Sequence, residues 1–280
     1  MKKVFLCAIS NISSGRCLED CRFCTQSVRY KADIQRYEHK PIETIVKEAV
    51  AAKKMGALGF CLVTSGKGID DKKLEFVCEA ARAVKKVVND FNLIGCCGTA
   101  DVEQLKELKS AGIDSYNHNL ETHRDFYKKI CSTHEWDERY QTCLNVKAAG
   151  LKLCSGGIFG LGESKEQRVE FLEQIKSLSP DSTPINFYHP NPSLPLEAKI
   201  LEAEEALSIV KLAREILPDV KLMVAGGREI TLKDEWYRIF EMGADAIVIG
   251  DYLTTKGNEP HKDIETIKSL GLEIAVTCHE

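Results

Sequence analysis

The sequence predicts an α/β fold, a (β/α)8 TIM-type barrel, from three observations. Eight short apolar runs, at residues 4–10, 59–64, 92–97, 115–119, 152–158, 184–188, 221–225 and 246–250, read as strands. They alternate with amphipathic helical segments at 42–55, 72–91, 102–111, 136–149, 165–177 and 203–217, at the spacing of successive βα units. Gly56, Gly112, Gly150 and Gly243 each stop a helix just before a strand. A doubly wound sheet is the alternative that the same alternation allows. No Pro/Gly/Ser-rich linker or low-complexity tract interrupts the 280 residues, so a single domain over 1–280 is the economical organisation.

Composition narrows the function. Hydrophobic residues make up 44% and charged residues 29%, ordinary for a soluble globular protein. The balance of 38 basic against 42 acidic residues gives −4, without the basic footprint of a nucleic-acid binder. No apolar run approaches the roughly 20 residues needed to cross a bilayer, so no membrane association is expected. The start has two lysines, but its apolar stretch of about seven residues is short for a signal peptide and no small-residue cleavage site follows. It is read as the first strand of a cytoplasmic protein. Twelve cysteines are too sparse for a disulfide scaffold and many for a cytosolic enzyme, which points to metal ligands or catalytic thiols. Cys7, Cys78, Cys131, Cys143 and Cys278 are expected to be small buried hydrophobes.

Directly after the first strand, Cys17, Cys21 and Cys24 stand at spacings of four and three. A compact loop with that spacing can aim three thiolates at one centre. Zinc would want a fourth ligand, and His39 and Cys61 do not stand at zinc-finger spacing. Three thiolates on a four-iron cube leave one iron open for a substrate or cofactor. This Cys-x3-Cys-x2-Cys pattern, with the aromatic Phe23 before its last cysteine, resembles the signature of the radical S-adenosylmethionine (SAM) superfamily. The resemblance implies that Cys17, Cys21 and Cys24 hold a [4Fe–4S] cluster in a radical SAM barrel. SAM would chelate the open iron and be cleaved by one electron to a 5′-deoxyadenosyl radical, with Phe23 packed near the adenine.

The likeness continues through Thr25-Gln26-Ser27-x-Arg29-Tyr30-Lys31, Tyr116-Asn117-His118-Asn119-Leu120-Glu121-Thr122 and Cys154-Ser155-Gly156-Gly157-Ile158-x-Gly160-Leu161-Gly162-Glu163. Pro184-Ile185-Asn186, Ala225-Gly226-Gly227-Arg228-Glu229 and Gly250-Asp251-Tyr252-Leu253-Thr254-Thr255 complete it. In this order, over nearly the whole chain, these segments resemble the biotin synthase family. Asn117, Asn119 and Glu121 are two apart and so share one face at a strand end. An asparagine offers both donor and acceptor to a flat ureido ring. By resemblance, Asn117 and Asn186 meet the ureido group of dethiobiotin, Glu121 meets SAM, and Asn119 touches both. Gly156 and Ile158 are assigned to the cofactor. Gly156 and Gly157 are expected to let a ligand approach the backbone closely. Thr254 and Thr255 are assigned to the substrate's carboxylate, with a helix N-cap as their alternative. His118 falls out of phase and is read as structural. His39, His123, His134, His189, His261 and His279 show no mutual metal-ligand spacing.

The resemblance further implies a second, auxiliary iron–sulfur cluster deep in the barrel that donates its sulfur, with Cys61, Cys96 and Cys154 as ligands from separate strands. Cys96 and Cys97 are adjacent and must face opposite sides, and register to Gly98 favours Cys96. Where the best-known branch of the family has an arginine ligand, this chain has Met223, and a second arginine is replaced by Gly59. The expectation is therefore a [2Fe–2S] cluster of altered ligation or a larger cluster. Also implied are a flavodoxin or ferredoxin as electron donor and a homodimer. The alternatives are a hydrogenase maturase-like or methylornithine synthase-like enzyme of the same wider group, or a non-catalytic metal or cluster carrier.

Overall fold

A computed structural model describes residues 3–278, so His279 lies outside the described residues. The staves are β1 (Lys3–Asn11), β2 (Gly59–Val63), β3 (Asn92–Cys96), β4 (Ser115–Asn117), β5 (Lys152–Cys154) continued by β6 (Gly157–Phe159), β7 (Ser182–Phe187), β8 (Lys221–Val224) and β9 (Ala246–Val248). Neighbouring staves pair in parallel. The last pairs back on the first through Phe5↔Ala246, Leu6↔Ile247 and Cys7↔Val248, which closes an eight-stave barrel. That closure settles the choice against an open doubly wound sheet. A short β10 (Glu273–Ile274) adds to the start of β1.

Helices α1 (Ile42–Lys54), α2 (Asp71–Val87), α3 (Val102–Ser110), α4 (Trp136–Ala148), α5 (Lys165–Ser177) and α6 (Ala203–Ile216) follow their strands as the sequence predicts. The Asp70 side chain caps α2, and reciprocal caps start α3 (Asp101 with Gln104) and α5 (Ser164 with Gln167), satisfying N–H groups that the first turn leaves unpaired. The four stop glycines take left-handed backbone, from φ 71 at Gly150 to φ 108 at Gly243. Two further helices, α7 (Arg228–Leu232) and α8 (Pro260–Ser269), were not anticipated, nor was the 3-10 segment Lys233–Phe240 between them. No helix among the described residues is long and apolar enough to cross a membrane.

The foot of the barrel is braced by a repeated device. Asp114, Asp181 and Asp245 each precede a strand and accept the backbone N–H of a neighbouring strand, from Leu93 (2.8 Å), Leu153 (2.8 Å) and Leu222 (3.0 Å). Strand alternation then splits the apolar residues in two. Leu6, Phe60, Leu62 and Leu93 pack outward against the helices, while Phe5, Cys7, Cys61, Ile94, Met223 and Val248 fill the barrel's interior.

Candidate active site

The loop after β1 is folded by its own polar side chains. Gln26 Oε1 accepts from Gly15 N at 2.5 Å and from Ser14 Oγ at 3.2 Å. Ser27 Oγ and Tyr30 Oη donate to the carbonyls of Glu19 and Asp20, both at 2.5 Å. The Asp20 carboxylate takes the N–H groups of Ser132 (2.9 Å) and Thr133 (3.2 Å), and Arg22 N donates to Ile130 O at 2.8 Å. The cysteine loop is thereby fastened to the segment leading into α4.

Within this loop, Phe23, Cys24 and Thr25 line the barrel's cavity. The Cys21 thiol turns toward Cys131, Sγ to Sγ 3.7 Å. Cys131 Sγ lies 3.2 Å from His134 Nδ1, and that nitrogen lies 2.7 Å from Glu19 Oε2. The donor atoms of Cys21, Cys131 and His134 fall within 4.8 Å of one another. Cys131 is thus more than apolar filling, and His134 is not isolated. The Cys-x2-His spacing of Cys131 and His134 was the signal in the sequence that could have found them. Burial pushes the Cys24 thiol up to about 12 and raises Cys17 as well, so ligation here means displacing protons.

A cavity of about 390 Å³ opens at the carboxyl ends of the staves, where side chains from several βα loops converge. Asn117, Asn119, Glu121, Ile158, Asn186, Thr254 and Thr255 line it, and so do Cys61, Cys96 and Cys154. His118 faces away, 2% exposed, and burial holds it well below its usual pKa as a neutral ring. Its Nε2 has no hydrogen-bond partner. The buried Oδ1 atoms of Asn117 and Asn119 are also without partners. Acceptors left unpaired in this way inside a cavity call for a ligand's donors.

Glu121 sits at φ 70, left-handed for a side-chain-bearing residue. Its carboxylate takes Arg139 Nη2 at 2.8 Å, and Arg139 Nε donates to Asn119 O at 2.5 Å. Arg139, on α4, was missed because nothing in its own segment marks it. Asn186 differs from expectation in its partners. Its Nδ2 donates to Gly157 O (3.0 Å) and its Oδ1 accepts Gly226 N (2.9 Å), so both ends of the amide are held by the cavity wall.

Gly156 and Gly157 have a packing reason of their own. A Cβ at Gly156 would run into the Pro184 carbonyl, and one at Gly157 into the Glu121 carbonyl and the Phe171 ring. Neither glycine lines the cavity, and their smallness serves strand-to-strand approach. The N-cap alternative for Thr254 and Thr255 also fails, because α8 begins at Pro260 behind Glu259. Thr254 Oγ1 lies 2.8 Å from Thr25 Oγ1, which joins the last βα loop to the cysteine loop.

Below this rim, Cys61 on β2, Cys96 on β3 and Cys154 on β5 face inward, with Met223 of β8. Asn117 Nδ2 is 3.8 Å from Cys96 Sγ. Cys97 is fully buried on the other side, against Leu62 O. Cys7 of β1, expected as inert filling, lines the cavity too.

Comparison with known proteins accords with this geometry. Residues 11–175 match the Radical SAM superfamily and residues 184–273 the Biotin and Thiamin Synthesis associated domain. The chain is 66% identical over 278 residues to the biotin synthase of a Nitratiruptor species, covering 99% of this chain and 100% of that one. It is 59% identical to that of Aliarcobacter butzleri (99% of each chain) and 55% identical to that of Wolinella succinogenes (100% of each). Among solved structures, a methylornithine synthase superposes with TM-score 0.81 at 18% identity, over 98% of this chain and 84% of that one. The FeFe-hydrogenase maturase of Carboxydothermus hydrogenoformans superposes with TM-score 0.83 at 18% identity, over 96% and 67%. At that identity these two share the fold alone. Membership of the superfamily implies a [4Fe–4S] cluster and SAM. With relatives this close along its full length, the chain belongs to the biotin synthase family, radical SAM enzymes built on a parallel βα barrel.

Proposed function

We propose that the rim of this cavity holds the [4Fe–4S] cluster and SAM, that its depth holds a sulfur-donating auxiliary cluster, and that dethiobiotin is clamped between them. The observation that carries the proposal is the stacking of thiols at two levels of one cavity, with unpaired amide oxygens between. Cys24 stands at the rim, Cys61, Cys96 and Cys154 lie inside, and Asn117 and Asn119 are interposed. Three thiols in one pinned loop fit a cluster with an open iron, and inward thiols on separate staves fit a buried one. When bound, the first cluster supplies one-electron cleavage of SAM for hydrogen abstraction, and the second supplies sulfur.

The chain's own residues bind and orient. Cys17, Cys21 and Cys24 ligate the rim cluster. Glu121, fixed by Arg139, accepts hydrogen bonds from the SAM ribose, while Phe23 and Ile158 flank the cofactor. The free Oδ1 atoms of Asn117 and Asn119 accept from the ureido N–H groups. Asn186 contributes through the wall it ties together. Thr254 and Thr255 donate to the tail carboxylate from the last loop. The apolar lining of Ile9, Val63, Ile94 and Val248 excludes water around the reacting carbons.

With Met223 in place of a basic ligand and, among the described residues, no lysine or arginine lining the cavity, the auxiliary cluster differs in ligation from an arginine-held [2Fe–2S] form. All twelve cysteines are free thiols, as suits a single-domain cytoplasmic enzyme reduced by a flavodoxin or ferredoxin and working as a homodimer. The test is an anaerobic assay of protein reconstituted with labelled sulfide, given SAM, dethiobiotin and a strong reductant. Labelled biotin together with 5′-deoxyadenosine is expected. Deoxyadenosine with unlabelled biotin would sink the cluster as sulfur source.

A further inference from the structure

Cys7 occupies the middle of β1, paired with Gly59 of β2 on one side and with Val248 of β9 on the other. Its side chain points into the barrel, 2% exposed, and lines the same cavity as Cys61, Cys96 and Cys154. Its own hydrogen bonding is minimal, a contact of 3.8 Å to the carbonyl of Ala8. Cys78 offers the contrast. It is equally buried, but it lies on α2 within the apolar layer between helices and staves, outside the lining of this cavity.

The neighbouring stave makes room for the Cys7 sulfur. A Cβ built at Gly59 would come within 3.0 Å of Cys7 Sγ and 3.0 Å of the Phe5 ring. Any side chain there would crowd the thiol, so the glycine and the cysteine form a matched pair. Two staves away on β8 stands Met223, a weak thioether donor with no charge. Among the described residues the wall therefore offers four thiols, from β1, β2, β3 and β5, and no lysine or arginine to serve as a fourth partner. Four thiolates are the ordinary protein complement of an iron–sulfur cluster.

We propose that Cys7 is the fourth thiolate ligand of the auxiliary cluster, beside Cys61, Cys96 and Cys154. This rests on the reading above that such a cluster sits inside the barrel. Each thiol loses one proton on binding iron, so assembly releases four protons from these positions. The ligand set is then entirely thiolate and its charge is offset by the iron itself, with no guanidinium among the ligands.

The experiment begins with the full-length chain carrying Cys17→Ala, Cys21→Ala and Cys24→Ala, so that all bound iron reports on the interior. After anaerobic reconstitution, iron and sulfide content and Mössbauer spectra are recorded, and iron loss to a chelator is timed. Adding Cys7→Ala is expected to speed that loss about tenfold, the scale on which metal affinity responds to a lost partner. Adding Cys7→Ser, which keeps size and fold, is expected to give one iron site an oxygen-ligand signature. Unchanged iron retention and spectra in the Ser variant would overturn the proposal, whether or not the Ala variant folds. If the triple variant binds no cluster with Cys7 intact, the interior cluster itself is refuted, and this assignment with it.

Discussion

At Glu121 the backbone adopts φ 70 because its flanking groups leave no alternative. The Ile158 N–H bonds its carbonyl at 2.7 Å while Arg139 grips its carboxylate. Left-handed geometry in a residue with a side chain costs about 1–3 kcal/mol and persists only where surroundings over-determine it. Arg139 is therefore a positioning residue for Glu121, and under the proposed role of Glu121 it acts on SAM through that carboxylate. Arg139→Met is expected to raise the KM for SAM about tenfold to a hundredfold, from loss of a charge-assisted hydrogen bond. Deoxyadenosine formation across a SAM titration reads it, and Arg139→Lys should recover part of the loss.

Gly157→Ala makes a second prediction at this scale. Its Cβ would press on the Phe171 ring at 2.6 Å, so stability should fall by about 2 kcal/mol, measurable by urea unfolding of the apo chain. A change confined to SAM binding would contradict the packing role. His118 gives the third. Burial depresses its pKa, so below pH 6.5 the unfolded chain takes up a proton there that the folded chain refuses. The stability His118 contributes is present above pH 6.5 and is lost as pH falls, by up to about 1.4 kcal/mol per pH unit. His118→Phe should flatten the acid limb of a stability profile taken between pH 7 and pH 5.

Among the elements, α7 and α8 are joined by a buried ion pair that no periodicity announced. Arg228 Nη2 meets Asp263 Oδ2 at 2.7 Å, both side chains 0% exposed, with the guanidinium over the Trp236 ring and a second bond of 2.9 Å to Glu229. Tyr252 Oη bonds the same Glu229 carboxylate, which ties the pair to the loop carrying Thr254 and Thr255. Asp263→Ala leaves a buried charge with one partner fewer and should cost about 3 kcal/mol in thermal or chemical unfolding. The substrate KM should rise more than the SAM KM if the disturbed loop serves the substrate as proposed.

These elements also show what a sequence reveals. The eight strands and first six helices were legible because apolar periodicity and stop glycines mark them directly. The break between β5 and β6 was not, since Ser155 and Gly156 look like ordinary strand residues until Ser155 Oγ is seen to reach back to His118 O. The segment following β8 stayed hidden because a five-residue helix is too short to show a period. Asn117, Asn119 and Glu121 were readable from a spacing of two. Arg139 reaches Glu121 across 18 residues and carries no local mark, whereas Cys131 and His134 show only their short Cys-x2-His spacing.

Over the whole molecule, the two levels of thiols make two functions separable. Cys154→Ala should abolish biotin formation while leaving reductive SAM cleavage within about twofold, because the cysteine loop is braced by Asp20 and α4's entry rather than by the interior. Loss of both activities together would show that the two levels depend on each other. One barrel thus keeps a rim fastened by local contacts above an interior assembled from distant strands.

The pairing of Phe5–Cys7 with Ala246–Val248 gives this chain a timetable. Most of the cysteine loop's anchors can form once residue 134 has been made, with the bonds to Pro195 and Thr254 following, whereas the last stave joins the first only after nearly the entire polypeptide exists. Contacts between such remote stretches form slowly, since the intervening chain must surrender its freedom before they are rewarded. Iron that arrives early therefore meets a largely built nest at the rim and an unsealed chamber beneath it.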